Sequence, residues 1–463
     1  MLVEPAARVH FVGVAGSGMS ALAHHRALSG GKASGSDRDF DRGLLAEERS
    51  RCAQLGVDLF VQDGSGVDGA AIVVASTAVE SAVPDLIRAR EVGVPVAHRA
   101  EWLAALVASR PTIAIGGTSG KSTVVAMTFE ALRGAGLDPG VVTGGDLRAL
   151  QDEGHRGNAW AGSGPLVIEA DESDKSIVRY AATVAVVLNL QRDHDEIDAT
   201  APAFAAFLAK AGRVRILGED PALDRFRDGT LPLLRTLAFG AGPSCEYRAE
   251  DVRLGREGSV FMLRTPGTES FPVALPVPGR HNVENAVAAL AAAAEIGADV
   301  KRAAAALARF RGVARRLETV GRPRGAEVVD DFAHNPAKIA AAIGAIRLRA
   351  RRVFAFFQPH GFGPTRFLRA DLATAFASAL GPEDRVYFGD IYFAGGTAAK
   401  DISSADLAAD LCALGVAASH LPDRRTLVDV LRPILAEGDV VLMMGARDPS
   451  LHAFAKDVAA RLA

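Results

Sequence analysis

The sequence has 463 residues, of which 49% are hydrophobic, and a formal net charge of −3 at pH 7. This length exceeds one ordinary hydrophobic core and predicts several domains, with enough apolar residues to fill their cores. The near-neutral charge excludes a general attraction to nucleic acid or to anionic membranes, so we expect neither as a partner.

Three features of the chain predict a soluble protein of the reducing cytoplasm. The start of the sequence reads as a first β-strand and not as a signal peptide. No run of about 18 apolar residues free of charge and glycine occurs, so we expect no membrane insertion. The cysteines Cys52, Cys245 and Cys412 form no CxxC pair, which argues against a disulfide framework or a structural zinc site.

The first segment alternates short apolar runs with helical patterns, which is typical of a parallel α/β sheet. "RVHFVGVAGSGMSALAHH" reads as strand, glycine turn and helix, and "ASGSD" ends a second strand at Asp37. "GVDLFVQ", "GAAIVVAST" and "VGVPVAH" follow as further strands, and "RAEWLAALVASR" as a helix. Because helices rarely continue into a proline, Pro111 indicates a boundary near residue 110. We therefore predict a first domain over residues 1–109.

The glycine turn "GVAGSGMSA" of this segment lies between a strand and a helix. It lacks the full GxGxxG spacing, so it does not require a dinucleotide cofactor. A helix N-terminus supplies hydrogen-bond donors to any diphosphate, and a pyrophosphate site is one interpretation of the turn. The other is a tight turn with no ligand.

A second domain is predicted over residues 110–312 and a third over residues 313–463. The second contains two buried strands that end in charged residues, "GPLVIEADESD" and "TVAVVLNLQRDHDEID", and later a long alanine-rich helix. Between about residues 240 and 275 apolar and polar residues alternate, which predicts a small antiparallel sheet. The third domain holds the strands "AEVVDDFAH", "RVFAFFQPH", "DRVYFGDIYF" and "GDVVLMMGARD" between helical patterns.

The stretch "TIAIGGTSGKSTVVAMTFEALRGAG" from Thr112 to Gly136 predicts a phosphate-binding loop. Backbone N–H groups from Gly117 to Lys121, with a helix N-terminus behind them, can cradle an anion. The Lys121 side chain can reach terminal phosphates, and the Ser122 hydroxyl suits a Mg²⁺ ion bound to them. A glycine turn with a surface lysine is the alternative, but strand, GxxGKST and helix in this order favour a nucleoside triphosphate, most simply ATP.

Acidic residues follow two predicted buried strands. Glu169, Asp171 and Asp174 end the strand of "VIEADESD", and His194 lies among the acids of "NLQRDHDEID". The carboxyl ends of parallel strands meet beside the phosphate loop, where carboxylates can hold Mg²⁺. For Glu169 we predict such a role. For Asp171 and Asp174, helix caps or solvated loop charges are the better interpretation.

Two later stretches carry further candidates. "GRHNVENAVAAL" places His281 and Asn285 at a helix start, where the intervening Asn282 reads as a cap. "GVARRLETVG" places Arg315 and Arg316 near the predicted second boundary. An arginine there can stabilise charge on a phosphate in transfer, and a solvated pair is equally compatible with the sequence.

Taken together, a series of stretches resembles the Mur ligase family, the ATP-dependent amide ligases of peptidoglycan precursor assembly. In chain order they are "GVAGSGMSALA", "GSD", "RAEWLA", "GGTSGKST", "EADESD", "NLQRDH", "HNVENA", "GVARRLE" and "DDFAHNP". The resemblance runs from Val9 nearly to the end of the chain. It implies an α/β fold of three domains: a Rossmann-like N-terminal domain, a central P-loop ATPase-like domain and a C-terminal Rossmann-like domain.

The resemblance also implies roles for individual residues. ATP would contact Gly117, Thr118, Ser119, Gly120, Lys121, Ser122, Thr123, His281, Asn285, Arg316 and Asp331. Catalysis would fall to Lys121, Glu169, His194 and Arg316, and the Mg²⁺ ions would be held by Ser122, Glu169 and His194. Substrate would be bound by Gly16, Ser17, Gly18, Met19, Asp37, Ser76, Arg99, His334 and Arg366.

The activity implied is the ATP-dependent activation of the carboxylate of UDP-N-acetylmuramate as an acyl phosphate, followed by its joining to L-alanine. ADP and phosphate would be released, and the protein would act as a monomer or a homodimer. Two alternatives stay open at this stage. One is a sister ligase that adds a peptide or another amino acid, and the other is a non-catalytic nucleotide-binding relative.

Overall fold

A computed structural model describes residues 2–172, 174–193, 196–227, 234–393, 395 and 399–463. It contains three sheets, of five, ten and six strands. The chain divides into two compact units, which are described separately. Unit 1 comprises Met1–Val252, Phe261–Leu275 and Val283–Val313, and unit 2 comprises Arg253–Val260, Pro276–Asn282 and Ala314–Ala463.

The five-stranded sheet is parallel throughout, in the order β3-β2-β1-β4-β5. Its central strand β1 has the sequence VHFV and is buried along its whole length, as expected for a strand covered by helices on both faces. The elements of this region are β1 Val9–Val12, α1 Ser17–Leu28, β2 Ala33–Ser36, α2 Arg38–Asp41, α3 Ala46–Gln54, β3 Val57–Phe60, β4 Ile72–Ala75, α4 Pro84–Val92, β5 Val96–His98 and α5 Arg99–Ala108.

The ten-stranded sheet has the order β15-β14-β13-β12-β11-β10-β6-β9-β7-β8. Its elements are β6 Thr112–Gly116, α6 Lys121–Gly134, β7 Gly140–Val142, α7 Arg148–Asp152, β8 Ala159–Trp160, β9 Leu166–Glu169, β10 Val184–Val187, α8 Ile197–Ala209, β11 Val214–Gly218, β12 Arg235–Gly240, β13 Tyr247–Leu254, β14 Ser259–Thr265, β15 Thr268–Leu275, α9 Arg280–Glu295 and α10 Val300–Leu307. Strands occur in the region of residues 240–275, where a small antiparallel sheet was predicted, and these strands, β13, β14 and β15, continue the large sheet at its edge.

Strand β6 lies between β10 and β9, and all three run parallel. Gly116 at the end of β6 is paired with Val187 at the end of β10, and Ile115 is paired with Glu169 at the end of β9. The polar residues that follow these strands therefore meet at one edge of the sheet, as parallel α/β sheets require.

The six-stranded sheet has the order β16-β17-β21-β18-β19-β20, and only the edge pair β16–β17 is antiparallel among its described pairs. Its elements are β16 Glu318–Gly321, β17 Glu327–Asp331, α11 Pro336–Arg347, β18 Val353–Phe357, α12 Phe362–Ala379, β19 Arg385–Phe388, α13 Ser404–Ala413, β20 Ala417–His420, α14 Leu427–Leu431, β21 Val440–Met444 and α15 Leu451–Leu462. The strands predicted from the sequence of this region are confirmed.

One hydrophobic cluster of unit 1 draws residues from both the first sheet and the central sheet. It includes Phe11 of β1, Trp102 of α5, Ile168 of β9 and Phe204 of α8, all fully or almost fully buried. The rings of Phe11 and Trp102 meet edge to face, with centroids 6.3 Å apart. Across the described residues, every helix is too short or too polar to span a bilayer.

The helix behind the glycine loop, α6, carries a half-buried carboxylate at Glu130. Both of its oxygens accept from the backbone N–H of Arg311, at 3.4 Å. Burial raises the pKa of Glu130 from 4.5 to about 7, although Arg311 and Arg133 favour its charged form. Near neutral pH this carboxyl group is therefore divided between its protonated and ionised forms.

Glu130 predicts a specific pH dependence of stability. Because its pKa is higher in the folded protein, its stabilising contribution is complete below about pH 4.5 and is lost as the pH rises through about 7. The shift corresponds to at most about 3 kcal/mol. Glu130→Gln imitates the protonated form, so urea unfolding should show it more stable than the parent at pH 8, with the difference falling below about 1 kcal/mol at pH 5.

The matched control is Glu47→Gln, since the Glu47 side chain is 90% exposed. Its free energy of unfolding should stay within about 0.5 kcal/mol of the parent at both pH values. A Glu130→Gln variant that is equally stabilised or destabilised at pH 5 and pH 8 would contradict the prediction.

Candidate active site

The glycine loop between β6 and α6 has the backbone that a phosphate loop requires. Gly117 and Gly120 have φ angles of 134° and 90°, which side chains with a Cβ rarely adopt. Gly120 is the N-cap of α6, so Lys121, Ser122 and Thr123 form the first turn of the helix. The predicted strand, loop and helix therefore occur at the predicted residues.

The segment after β10 braces this loop. The Asn189 side chain accepts from the Ser119 N–H at 2.8 Å and donates to the Ser119 carbonyl at 3.1 Å. The Thr118 N–H donates to the Asn189 carbonyl, and the Thr118 hydroxyl accepts from the Gln191 N–H at 2.9 Å. Because the N–H groups of Thr118 and Ser119 donate to Asn189, these bonds fix the backbone conformation of the loop.

The ammonium group of Lys121 lies among carboxylates. Its Nζ donates to the Gly117 carbonyl at 2.8 Å and to Glu172 Oε2 at 2.7 Å, and it lies 3.5 Å from Asp171 Oδ1. Burial disfavours the charged amine, but Glu172, Asp171 and Glu169 together outweigh it and raise the pKa of Lys121. Lys121 is therefore a permanent cation at neutral pH.

A cluster of oxygen atoms lies beside Lys121 at the ends of β9 and β7. The Ser122 hydroxyl donates to Glu169 Oε2 at 3.0 Å, and the Thr143 hydroxyl donates to the same oxygen at 2.8 Å. The Gly144 N–H also donates to it, at 3.1 Å. Carboxylate and hydroxyl oxygens are the donors that a hard cation prefers, so this set fits Mg²⁺. His194, the third predicted metal ligand, lies outside the described residues.

Arg99 and Gly18, both predicted substrate contacts, lie together in unit 1. A Cβ atom built on Gly18 would lie 2.9 Å from Arg99 Nη1, so the guanidinium packs directly against the start of α1. Arg99 also forms an ion pair with Asp174, which comes from the same "EADESD" stretch as Glu172. Of the two interpretations of Asp174, the helix cap agrees with the structure, because its carboxylate accepts from the Ser176 N–H at 2.9 Å where a short 3₁₀ helix begins. The solvated loop charge is wrong, because the side chain is only 20% exposed and is paired with Arg99.

Other predicted substrate residues of the first sheet have structural contacts. Asp37 accepts from the Ala15 N–H at 3.0 Å and from the Asp39 N–H at 3.0 Å, so it ties the first glycine turn to α2. Met19 is 3% exposed and belongs to the hydrophobic core. Ser76 follows β4 and is half-buried. Contacts of these residues with substrate stay predictions, as do those of Gly16 and Ser17 at the start of α1.

A cavity of about 430 Å³ opens beside the glycine loop. This volume is within the range of small-molecule sites. Its wall combines charged and apolar side chains, namely Thr118, Glu172, Lys175, Val178, Gln191, Asp193, Ala199, Thr200, Pro202 and Ala203.

Asn285, the predicted adenine contact on α9, lies against the glycine loop. A Cβ atom built on Gly120 would come within 2.7 Å of Asn285 Oδ1. His281 lies one turn earlier on the same helix. The closeness of Gly120 and Asn285 agrees with a shared role, but their nucleotide contacts stay predictions.

In unit 2, Arg316 and Asp331 are held by the turn before β16 and the end of β17. The Asp331 carboxylate accepts from the Leu317 N–H at 2.8 Å and from the Ala333 N–H at 2.7 Å. Burial raises the pKa of Asp331, against the opposing effect of the Arg316 charge. The Arg316 guanidinium lies 4.8 Å from the centre of the Phe332 ring. The predicted phosphate and ribose contacts of the two residues are not tested by this geometry.

His334 and Arg366, the remaining predicted substrate residues, also lie in unit 2. His334 Nδ1 is 2.9 Å from the Phe332 carbonyl, and its Nε2 is 3.3 Å from Lys338 Nζ. Arg366 forms an ion pair with Asp401 and is 44% exposed. Both roles in substrate binding stay predictions.

Three residues that contribute to this site were not singled out from the sequence: Thr143, Asn189 and Gln191. Asn189 and Gln191 occur in "NLQRDH", directly after an apolar strand, and that position was the available signal. Thr143 follows the short strand β7, whose three residues carry too little pattern to be recognised.

The close approach of Gly120 and Asn285 predicts the effect of Gly120→Ala. The new methyl group would be strained by the positive φ and would also clash with Asn285 Oδ1, so the Asn285 side chain or the loop must shift. The free energy of unfolding in urea should be at least about 1 kcal/mol lower for Gly120→Ala than for Gly154→Ala. Gly120→Ala should also fail to bind a fluorescent ATP analogue.

Gly154→Ala is the matched control, because Gly154 has a φ of 87° but nothing within 4 Å of a built Cβ. It should carry the backbone strain alone and keep nucleotide binding. Equal stability and equal nucleotide binding of the two variants would contradict the role assigned to the Gly120–Asn285 contact.

Comparisons with known proteins agree along the whole chain. Models of the Mur ligase family match as catalytic domain over residues 8–111, as middle domain over residues 115–293 and as glutamate ligase domain over residues 315–447. A UDP-N-acetylmuramate–L-alanine ligase of Acidithiobacillus ferrooxidans is 38% identical over 456 residues, which cover 95% of each chain.

Solved structures give the same result. A UDP-N-acetylmuramate-alanine ligase from Thermotoga maritima has a TM-score of 0.76 and 25% identity, with 98% of each chain covered. A murein peptide ligase from Psychrobacter arcticus shares the fold at a TM-score of 0.71 and 22% identity, with 98% of each chain covered. The predicted α/β architecture of three domains is confirmed, and the chain belongs to the Mur ligase family.

Proposed function

We propose that this protein is an ATP-dependent ligase that joins the carboxylate of UDP-N-acetylmuramate to L-alanine, in the synthesis of peptidoglycan precursors. The observation that carries the proposal is at the first turn of α6, where Lys121 bonds to Glu172 and feels the charge of Glu169, and where Ser122 bonds to Glu169 at the end of β9. The relative that is 38% identical over nearly the full chain has this activity in its name. Together they support both the energy source and the substrates.

The first step overcomes the low reactivity of a carboxylate, which repels nucleophiles and has no good leaving group. A carboxylate oxygen of the muramyl group attacks the γ-phosphorus of ATP, the bond to the β,γ-bridging oxygen breaks, and ADP leaves. The product is an acyl phosphate. Lys121 carries a fixed positive charge and would stabilise the charge that develops on the phosphate oxygens.

The second step forms the amide. The neutral amino group of L-alanine attacks the acyl carbon to give a tetrahedral intermediate, which collapses with release of inorganic phosphate. The attacking nitrogen loses a proton in the process. In the net reaction the leaving phosphate takes up this proton and is released as hydrogen phosphate.

We propose Mg²⁺ as the metal cofactor, held by Ser122 and Glu169, with Thr143 as a further oxygen donor. When bound, this ion would neutralise phosphate charge and orient the phosphate oxygens. In the present structure Glu169 accepts from both hydroxyl groups and from the Gly144 N–H, so its carboxylate is already oriented.

We also propose that the reaction takes place in the cytoplasm. The three cysteines are free thiols, two buried and one exposed, which is compatible with a reducing compartment. ATP and UDP-linked precursors are available there, and the proposed chemistry needs both.

Lys121→Ala tests the proposed role of the fixed cation. Because one preorganised charge is removed from the phosphoryl-transfer step, kcat should fall by about 100-fold or more. The measurement is phosphate release that depends on both UDP-N-acetylmuramate and L-alanine. Circular dichroism checks that the variant is folded.

Lys456→Ala is the control, because Lys456 is an exposed lysine on α15. It should keep the parent rate. Parent-like kcat in folded Lys121→Ala would remove the basis of the proposed phosphate site.

A panel of amines tests the identity of the nucleophile. With UDP-N-acetylmuramate and ATP present, L-alanine should support turnover. Glycine, L-serine and a muramyl-type tripeptide should each give a kcat/KM at least tenfold lower. A tenfold difference corresponds to about 1.4 kcal/mol of discrimination. Mass measurement of the product identifies the amide. Turnover with the tripeptide alone would instead assign the protein to the peptide-adding ligases, and nucleotide binding without any amide product would assign it to the non-catalytic alternative.

A further inference from the structure

Helices α1 and α3 bring three potential metal ligands together in unit 1, away from the glycine loop between β6 and α6. His24 lies on α1, and Glu48 and Cys52 lie one turn apart on α3. One ligand atom from each residue lies within 4.8 Å of the other two. His24 and Cys52 are fully buried, and the Glu48 side chain is 13% exposed.

Hydrogen bonds determine which nitrogen of His24 faces the other two groups. The Asn158 side-chain amide donates through Nδ2 to Ser20 Oγ at 3.1 Å and to the Ser17 carbonyl at 3.4 Å. Its Oδ1 must therefore face His24 Nδ1, at 3.0 Å, and accept a hydrogen bond from the Nδ1–H group. With Nδ1 as the donor to Asn158, Nε2 of the neutral ring carries a lone pair.

That lone pair points at the cysteine. His24 Nε2 lies 3.4 Å from Cys52 Sγ, and Cys52 Sγ lies 4.0 Å from Glu48 Oε1. Ligands about 2.0–2.3 Å from a tetrahedral zinc ion are separated from one another by about 3.5 Å. The separations of 3.4 Å and 4.0 Å are therefore close to those around such an ion, and the separation of the third pair, His24 and Glu48, is at most 4.8 Å.

The charges around the group also permit a divalent ion. Arg156 forms ion pairs with Glu48 and with Asp146, and it donates to Ser20 Oγ at 2.8 Å. A bound M²⁺ with a Cys52 thiolate and the Glu48 carboxylate would be neutral overall, and Asp146 would remain to balance Arg156. Arg156 would then orient the ligating Glu48 carboxylate from outside the metal site, as hydrogen-bond partners of metal-binding carboxylates do.

From this geometry we infer that His24, Glu48 and Cys52 form a binding site for a zinc-type divalent metal ion. The mixed nitrogen, sulfur and oxygen set excludes Mg²⁺ or Ca²⁺ as the preferred ion, because a thiolate favours softer metals. His24 also has the feature typical of metal-binding histidines, since its other ring nitrogen is held by a side-chain oxygen.

The site would fasten α1 to α3. Helix α1 begins at the glycine turn that is predicted to bind the substrate diphosphate, so the metal would stabilise the element that carries this turn. This structural role is separate from the proposed reaction and does not depend on it. Cysteine spacing in the sequence argued against a zinc site, because only the fold brings residues 24 and 52 together.

Cobalt titration of the full-length protein tests the inference. The protein is first stripped of transition metals and then placed in buffer with excess Mg²⁺. It should bind one equivalent of Co²⁺ and develop a thiolate-to-cobalt charge-transfer band in the near ultraviolet. The band should disappear in Cys52→Ser. Asn158→Ala should weaken Co²⁺ binding by about 10- to 100-fold, because His24 loses its orienting partner.

The other cysteines provide matched controls. The double variant Cys245→Ser/Cys412→Ser leaves Cys52 as the only thiol of the chain and should keep the full band. This result does not depend on the folding of Cys52→Ser. Loss of the band in the double variant, or no band in the parent protein, would overturn the inference and leave Cys52 as a thiol hydrogen-bonded to His24.

Discussion

The buried ammonium of Lys121 is the constraint on which the active-site end of unit 1 depends. A charge in the interior is tolerated only with partners, and here Glu172, Asp171 and the Gly117 carbonyl supply them. The two glycines with positive φ let the backbone turn closely enough for the helix to begin at this lysine. The order of β10, β6 and β9 then brings the acids to it.

The short stretch after β9 provides carboxylate partners for two cationic side chains. Glu172 pairs with Lys121 of the glycine loop, and Asp174 pairs with Arg99 at the start of α5. Lys121 is predicted to contact ATP, and Arg99 is predicted to contact the substrate. A ligand group that replaced either carboxylate would therefore change the electrostatic environment of the same stretch.

Much of this arrangement could be predicted from the sequence because its signals are local. The strand, glycine loop and helix around Lys121 follow from residue order, and Glu169 stands out as an acid at the end of an apolar strand. Long-range contacts carry no such signal. The brace that Asn189 provides to Ser119, and the approach of Asn285 to Gly120, depend on which strands and helices become neighbours in the sheet.

The absence of long-range signals in the sequence also explains which expectations the structure did not bear out. Alternation near residues 240–275 correctly indicated strands, but periodicity contains no information on whether they extend an existing sheet. The ion pair of Asp174 was not predicted, because its partner Arg99 is distant in sequence. His24 and Cys52 are 28 positions apart in the sequence, and only the fold reveals their shared donor geometry.

The hydrophobic cluster shared by Phe11, Trp102, Ile168 and Phe204 limits how members of this family can exchange parts. The first sheet does not present a finished surface of its own, because its apolar residues continue into those of the central sheet. A chimaera with its crossover near Pro111 would join two half-interfaces from different parents. Such a hybrid should fold well only when the buried residues on both sides have been inherited together, so substrate preference cannot be transplanted by the N-terminal region alone.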